Sequence, residues 1–210
     1  MIRVLIADDH TMVRKGLKEL IEESPGIRVA AEAGDGQEVM AALMKSDINV
    51  VLLDIAMPGK SGLEVLMDVK VRNPDLPVLV LSMYPEERYA IRALRAGASG
   101  YLSKSSASEE LILAINKVAR GGKYISPTVA EVLALQVEDG YTRPFHDSLS
   151  DREYQVFCKM ASGMSPTEIA RNLSLSPKTI STYRNRVLQK LKINSNAELI
   201  KYAMENELIG

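Results

Sequence analysis

Short apolar runs alternate with longer amphipathic stretches along the first 120 residues of the chain. Two of the runs, residues 50–53 and 78–81, are apolar throughout, which is typical of strands buried on both faces of a parallel sheet. The longer stretches repeat their apolar residues at the spacing of a helix. Strands are predicted at residues 3–7, 28–33, 49–53, 78–82 and 100–102, and helices at residues 11–23, 36–44, 61–73, 87–96 and 108–120.

This alternation predicts the fold class of the first domain. Strands that alternate with helices form a parallel sheet covered by helices on both faces. The five β-α units fit an α/β flavodoxin-like fold with a doubly wound parallel five-stranded sheet. The pair Gly121-Gly122 ends the last of these helices, so the first domain is predicted to span residues 1–121.

The composition changes after this domain. Residues 127–137 have the pattern of one further helix, whereas residues 138–147 carry Gly, Pro and several charges without periodicity. The second stretch is typical of an interdomain linker. We therefore predict a linker region at residues 122–147 that contains the extra helix, and a second domain at residues 148–210.

The second domain carries helix start signals and no convincing strand. Ser150, Ser165 and Ser195 each begin a Ser-x-x-Glu sequence, which predicts a capping box at the start of a helix. Ser176-Pro177 adds an N-cap followed by proline at the first helical position. The pattern predicts an all-α four-helix domain, in which residues 166–173, a turn at 174–176 and residues 177–191 form a helix-turn-helix.

Length and composition exclude several classes of protein. With 210 residues, of which 46% are hydrophobic and 25% charged, the chain is typical of two soluble globular domains. The apolar runs are far shorter than the roughly 20 residues that span a bilayer. The start of the chain is not that of a secretory signal, and the single cysteine, Cys158, excludes an internal disulfide. We expect a cytoplasmic protein without a membrane partner.

Charge is distributed unevenly along the chain. Residues 1–120 carry 15 basic and 17 acidic side chains, whereas residues 149–210 carry 9 basic and 6 acidic ones. Between Arg171 and Lys192 six basic residues occur without an acidic one. This asymmetry indicates an anionic partner for the second domain, against the alternative of a solvated basic helix face.

Polar side chains collect at the ends of the predicted strands. The carboxyl ends of parallel strands meet at one edge of the sheet, where binding sites form. Three carboxylates at one edge would repel each other unless a cation lay among them, and a set of oxygen ligands favours Mg²⁺. The strand-end residues are Asp8, Asp9, Asp54, Ser82 and Lys104.

These residues carry a resemblance to a known family. Residues 1–120, with Asp8-Asp9, Asp54-Ile55-Ala56-Met57-Pro58-Gly59, Ser82 and Lys104, resemble the receiver domain of bacterial two-component systems. Residues 149–153, 168–170 and 176–180 resemble LuxR-type helix-turn-helix domains. The whole chain is similar to the NarL/FixJ family of response regulators.

The resemblance implies a role for each residue of the acidic edge. Asp54 would be the phosphoacceptor for a sensor histidine kinase. Asp9, Asp54 and the backbone carbonyl of Ala56 would bind Mg²⁺ directly, and Asp8 would act through water. Lys104 would pair with the phosphoryl oxygens and Ser82 would move to hydrogen-bond them. Tyr101 would turn inward when Ser82 moves. A metal-free pocket, as in degenerate receivers, is the alternative.

The resemblance also places double-stranded DNA on the second helix of the helix-turn-helix. The base-contacting positions of the family correspond to Ser181, Thr182 and Asn185. Many members have lysine in place of Ser181 and a small apolar residue in place of Arg184, so a recognition sequence does not transfer. The predicted DNA-binding residues are Lys178, Thr179, Ser181, Thr182, Arg184, Asn185 and Arg186, of which Lys178, Arg184 and Arg186 are assigned to phosphate contacts.

Three functions follow as hypotheses. The first is a transcriptional regulator, not an enzyme, whose DNA binding and homodimerisation increase when Asp54 is phosphorylated. The second is a Mg²⁺-dependent phosphohydrolase, although the chain lacks an Asp-x-Asp on the first strand, a P-loop and a Gly-x-Ser-x-Gly elbow. The third is a DNA-binding protein with a vestigial receiver.

Two further residues have a structural interpretation. His10 is a single histidine without a partner, and we predict that it begins the first helix. Cys158 is predicted to be a small buried apolar residue of the second domain rather than a redox sensor.

Overall fold

The computed structural model describes residues 1–106, 108–137, 144–206 and 208, and the side chains of these residues except those of 87, 88, 136 and 137. The chain divides into two compact units, Met1–Asp139 and Gly140–Gly210. Within the described residues, no helix is both long enough and apolar enough to cross a bilayer.

The first unit contains the predicted parallel sheet. Its strand order among the described residues is β2-β1-β3-β4-β5, which is the flavodoxin-like order. The strands are β1 (Ile2–Ala7), β2 (Ile27–Ala33), β3 (Val50–Asp54), β4 (Val78–Ser82) and β5 (Gly100–Ser103). All neighbouring strands are parallel, and β3 and β4 are buried at every residue, as their apolar sequences predict.

Helices cover both faces of this sheet. They are α1 (Thr11–Glu22), α2 (Gly36–Lys45), α3 (Gly62–Arg72), α4 (Glu86–Arg95), α5 (Ser108–Ala119) and α6 (Pro127–Val137). Ile21 of α1 and Ile115 of α5 share one apolar cluster with Ile6 and Leu52 of the sheet. Helices α2 and α3 contact each other, and α4 contacts β5. The parallel sheet therefore lies between two layers of helices.

Helix α6 is part of this first unit. The sequence predicts it within the linker region, and the structure forms it over the predicted residues, where it packs on α4. Val129 is 2% exposed, which shows that α6 contributes an apolar side chain to the unit. The domain boundaries at residues 121 and 148 stay a prediction.

The second unit is built from short helices with strong N-caps. A 3-10 turn at Phe145–Ser148 precedes α7 (Asp151–Ala161), α8 (Pro166–Asn172), α9 (Pro177–Leu191) and α10 (Asn196–Glu205). Its apolar core includes Phe157, Ile169, Ile180, Val187 and Leu199. Helices α8 and α9 form the predicted helix-turn-helix, and Ser176 caps α9 by accepting from the Thr179 amide.

Two of the three predicted capping boxes are confirmed. Ser150 with Glu153 and Ser165 with Glu168 bond reciprocally. The prediction for the third is wrong in part: Ser195 caps α10, but the carboxylate of Glu198 accepts from the amide of Asn194 at 2.9 Å instead of the amide of the cap. Either amide lacks a partner within the helix, so the carboxylate stabilises the helix start in both arrangements.

Candidate functional sites

Two acidic side chains lie buried at the carboxyl edge of the sheet, between β1 and β3. Asp8 follows β1 and Asp54 is the last residue of β3, and each is 2% exposed. The strand order changes direction between β1 and β3, and in open parallel sheets this is the place where ligands bind. Asp9, the next residue along the chain, is more exposed. The strand-end carboxylates thus meet as the sequence predicts.

Lys104 joins the two buried carboxylates. Its Nζ lies 2.7 Å from Asp54 Oδ2 and 2.6 Å from Asp8 Oδ2, and its side chain is 11% exposed. The backbone amide of Lys104 donates to the carbonyl of Ser82 at 2.8 Å, which continues the pairing of β4 and β5. This backbone contact fixes the point from which the lysine reaches across the edge of the sheet.

The environment changes the proton affinity of this pair. Burial raises the pKa of Asp54, and Asp8 adds to the rise, whereas the charge and hydrogen bond of Lys104 oppose it. Burial by itself would lower the pKa of Lys104, but the charges and hydrogen bonds of Asp54 and Asp8 together outweigh it and raise the pKa. Lys104 is therefore a cation at neutral pH, held among the carboxylates.

Four side chains could share a metal ion. Ligand atoms of Asp8, Asp9, His10 and Asp54 all lie within 4.8 Å of one another. Carboxylate oxygens are the ligands that Mg²⁺ prefers in proteins, so the three aspartates fit this ion. The backbone amide of Ala56 donates to Asp54 Oδ1 at 3.1 Å, which places residue 56 beside the carboxylate. The role of its carbonyl oxygen stays a prediction.

His10 lies closer to this group than predicted. It is the N-cap residue of α1, which confirms its place at the start of the first helix. The prediction that it has no partner is wrong, because its Nδ1 lies 2.7 Å from Asp9 Oδ1 and 3.3 Å from Asp8 Oδ1. Its position directly after Asp8-Asp9 was the available signal, since both carboxylates lie within two residues of it in the chain.

Ser82 and Tyr101 lie beside the pocket, on the two strands that follow β3 in the sheet. Ser82 is fully buried, and its Oγ accepts from the amide of Tyr84 at 3.1 Å. Tyr101 is 1% exposed, and its hydroxyl donates to the carbonyl of Tyr84 at 2.8 Å. Burial raises the pKa of Tyr101, and a hydrogen bond with Ser82 offsets only part of the rise. The ring of Tyr101 already points inward in this structure.

Helix α9 presents a polar face to solvent. Its apolar side is formed by Ile180, Val187 and Leu191, which are buried, and by Leu188, which is half-buried. Of the predicted DNA-binding residues, two are half-buried, Thr179 and Arg184, and the rest are exposed: Lys178, Ser181, Thr182, Asn185 and Arg186. The helix is thus amphipathic as its sequence predicts.

Local hydrogen bonds orient several side chains of this face. The hydroxyls of Ser181 and Thr182 donate to backbone carbonyls one turn earlier, at 3.0 Å and 3.1 Å. Arg184 Nε donates to Asn196 Oδ1 at 3.0 Å, so this guanidinium is held against the start of α10. Sequence reasoning missed Asn196, because it lies on another helix and its sequence context reads only as a helix start.

Comparisons with known proteins agree with the two units. Residues 4–116 match the family model described as the response regulator receiver domain. Residues 147–203 match the model described as bacterial regulatory proteins, luxR family. An acidic pocket at the edge of a flavodoxin-like sheet, followed by a helix-turn-helix, defines the class of response regulators with a DNA-binding output domain.

Similar proteins extend over the whole chain. The response regulator UvrY of Escherichia coli is 37% identical over 209 residues, covering 99% of this chain and 96% of UvrY. The response regulator GacA of Pseudomonas aeruginosa is 37% identical over 211 residues, covering 100% of this chain and 98% of GacA. The solved structure of RcsB from Salmonella enterica, bound to promoter rprA with phosphomimetic BeF3⁻, has a TM-score of 0.65 at 27% identity and covers 96% of this chain and 97% of that one.

The chain therefore belongs to the NarL/FixJ family of response regulators, with a receiver domain and a LuxR-type DNA-binding domain. Members of this family are DNA-binding transcriptional regulators and not enzymes that turn over a substrate, which sets the phosphohydrolase hypothesis aside. Phosphorylation control and Mg²⁺ binding at the acidic pocket are typical of receiver domains.

Proposed function

We propose that Asp54 is the phosphoacceptor of this regulator and receives its phosphoryl group from a sensor histidine kinase. The carrying observation is the position of Lys104 Nζ, 2.7 Å from Asp54 Oδ2 and within the same buried pocket. Phosphorylation places close to two negative charges where one carboxylate stood. The ammonium lies where it can neutralise them, and positioned charge neutralisation is the main requirement of phosphoryl transfer.

Asp9 and Asp54, with the carbonyl of Ala56, are proposed to hold Mg²⁺ directly, while Asp8 acts through water. The proposal is supported by the short distances among the carboxylates and by their oxygen-only chemistry. When bound, Mg²⁺ neutralises the negative charge that spreads over the phosphoryl oxygens. The chain itself aligns Asp54 through the Ala56 amide and keeps water away by burial.

Ser82 and Tyr101 are proposed to change their hydrogen bonds when Asp54 is phosphorylated. The hydroxyl of Ser82 turns from the Tyr84 amide to a phosphoryl oxygen, and Lys104 follows the same group. Because the Tyr101 hydroxyl donates to the carbonyl of Tyr84, this movement of the loop after β4 also reaches the aromatic side chain. Both residues are buried, so the rearrangement changes packing as well as hydrogen bonding.

The exposed face of α9 is proposed to enter the major groove of double-stranded DNA. Ser181, Thr182 and Asn185 then contact base edges, and Thr179 lies at the entrance of the helix into the groove. Lys178, Arg184 and Arg186 contact phosphates and position the helix. RcsB, the structural neighbour described above, was solved bound to a promoter. We propose that phosphorylation of Asp54 increases DNA affinity and promotes a homodimer that binds two half-sites about one helical turn apart.

Phosphorylation and footprinting of one set of variants test this function. Wild type, Asp54→Asn and the exposed control Asp75→Asn are treated with acetyl phosphate and Mg²⁺. Intact mass should show one added phosphoryl group on wild type and Asp75→Asn, and none on Asp54→Asn. Footprinting on genomic fragments should then show stronger protection only for the phosphorylated proteins. Equal protection by all three, with and without acetyl phosphate, would instead support a vestigial receiver.

A further inference from the structure

The loop that follows Ser82 leads directly into α4. Tyr84 is tied to the pocket at both of its backbone groups, since its amide donates to Ser82 Oγ and its carbonyl accepts from Tyr101. Pro85 is the N-cap of α4 and Glu86 is its first residue. Any rearrangement of Ser82 or Tyr101 therefore acts on the chain only two residues before Glu86.

Glu86 makes a direct contact with the start of α6. Its carboxylate accepts a hydrogen bond from the hydroxyl of Ser126, which is 6% exposed. The same Ser126 Oγ accepts from the amide of Val129, so Ser126 also caps α6. One buried hydroxyl thus joins the first turn of α4 to the first turn of α6. Because the acceptor is a carboxylate, this hydrogen bond is stronger than one between two neutral groups.

The segment just before α6 is anchored elsewhere. The Tyr124 amide donates to the carbonyl of Ser99 at 2.8 Å, and its hydroxyl donates to Glu110 of α5 at 2.6 Å. Gly100 permits this approach, because a Cβ there would lie 2.7 Å from the carbonyl oxygen of Tyr124. The chain is therefore held to β5 and α5 at residue 124 and to α4 at residue 126, two residues apart.

These two attachments differ in their relation to the pocket. Tyr124 is held by the sheet edge and α5, whereas Ser126 is held by the helix that follows the Ser82 loop. A shift of α4 relative to β5 would therefore act on the start of α6 at residue 126, while residue 124 is held by β5 and α5. Helix α6 is the last described element of the first unit, and the chain continues from it to the second unit.

We propose that the Glu86–Ser126 hydrogen bond couples the phosphorylation pocket to α6 and so carries the state of Asp54 to the chain that leads to the DNA-binding unit. This inference rests on the proposed roles of Asp54 and Ser82. Glu86 and Ser126 are positioning residues in this scheme, since neither contacts the phosphoryl group.

Hydrogen exchange of the full chain tests the coupling without using DNA. Phosphorylation of Asp54 is first verified by intact mass. Exchange of the α6 backbone amides, which begin at residue 128 because Pro127 has no N–H, is then compared in the phosphorylated and unphosphorylated protein. In wild type the exchange of α6 should change on phosphorylation. Glu86→Ala should reduce this change, while Ser126 still caps α6. Glu131→Ala, on the exposed side of the same helix, should behave as wild type. The proposal is overturned if the α6 amides of wild type exchange at the same rate in the phosphorylated and the unphosphorylated protein.

The DNA readout separates this proposal from the function itself. Glu86→Ala should accept the phosphoryl group as wild type does, but the ratio of its DNA affinities in the two states should fall at least about five-fold toward one. An unchanged ratio in Glu86→Ala overturns the coupling and leaves the proposed function intact. Absence of phosphorylation on wild type Asp54, seen in the mass measurement, instead removes the proposed function and the coupling with it.

Discussion

The two units of the chain place their functional charges in opposite environments. In the first unit Asp8, Asp54 and Lys104 are almost excluded from water and are bound to one another. In the second unit Lys178 and Arg186 lie exposed on α9. A buried pocket keeps electrostatic interactions strong and sensitive to distance, whereas an exposed face depends on the salt concentration. A switch needs the first property, and binding to a long polyanion needs the second.

This difference in burial predicts that removing a buried lysine lowers the free energy of unfolding more than removing an exposed one. Lys104→Met keeps most of the side-chain volume but leaves Asp8 and Asp54 facing each other without the ammonium. Breaking a buried ion pair costs about 3–5 kcal/mol. We expect the free energy of unfolding of the first unit to fall by this order in metal-free urea titrations, and added Mg²⁺ to restore more stability in the variant than in wild type.

Lys60→Met is the matched control for this measurement. Lys60 pairs with Asp68 at 2.6 Å on the exposed surface of the same unit. Water and salt already screen this pair, so its loss should leave the free energy of unfolding nearly unchanged. Similar losses in both variants would show that burial does not strengthen the pairing of Lys104.

A second prediction concerns the backbone that supports the pocket. Gly62 is the first residue of α3, and a Cβ there would lie 2.0 Å from the carbonyl oxygen of Asp54. Gly62→Ala should therefore displace Asp54, the proposed phosphoacceptor, lower stability by about 1–3 kcal/mol and slow phosphorylation by acetyl phosphate. Gly16→Ala, in open space on α1, should instead raise stability by about 0.5–1 kcal/mol. Equal behaviour of the two variants would contradict the close approach at Gly62.

The third prediction tests a buried charge in the second unit. Glu153 is 3% exposed and accepts from Lys190 Nζ at 2.6 Å and from the Ser150 amide at 2.7 Å. Burial raises the pKa of Glu153, but the hydrogen bonds and charge of Lys190 and the bonds from Ser150 outweigh it, so the pKa is lowered. The carboxylate therefore stabilises the fold above its unfolded pKa, and this contribution is lost as the pH falls through its folded pKa.

Glu153→Gln should accordingly cost about 1–2 kcal/mol at neutral pH and less in acid. Urea denaturation at several pH values, followed by a probe in the second unit, measures both effects. Glu205→Gln is the control, since Glu205 is exposed and lies 3.7 Å from Lys201. A penalty for Glu153→Gln that stays constant down to acidic pH would argue against the ionised carboxylate as its cause.

The smallest expected effect is on the exposed face. Arg186→Ala should weaken binding to a mixed-sequence DNA duplex several-fold at low salt. If Arg186 contacts one phosphate, the slope of log K against log salt should become shallower by about 0.9. Lys45→Ala, exposed on α2 of the other unit, should leave the slope unchanged. A slope that is unchanged in Arg186→Ala removes this residue from the set of phosphate contacts.

Much of the fold could be predicted from local patterns. The strands and helices of the first unit and the helix-turn-helix of the second lie within a few residues of their predicted positions. The apolar sequences of β3 and β4 are typical of strands buried on both faces, and the Ser-x-x-Glu sequences mark where helices begin. The hydrogen-bond partner of Glu198 could not be predicted in this way. Several backbone amides lie within reach of its carboxylate, and the local backbone conformation determines that the Asn194 amide donates to it.

The sequence predicts which residues form the candidate sites, but it does not predict which of their side chains contact each other. The sequence by itself determined that acidic residues follow the first and third strands, that a lysine follows the fifth, and that the second helix of the helix-turn-helix is basic and amphipathic. Those properties depend on periodicity and on the rule that parallel strand ends share an edge. They determined the class of protein and the edge of the sheet on which its acidic pocket lies.

Only the tertiary structure decided which groups touch. It placed Lys104 between Asp8 and Asp54, His10 against Asp9, and Ser126 against Glu86. These partners, His10 and Asp9 apart, lie far from each other in the chain. Their distances depend on strand order, on helix packing and on the rotation of each side chain about its own bonds. Such contacts depend on the packing of the whole unit, because a buried charge is stable only where the fold places a hydrogen-bonding partner next to it.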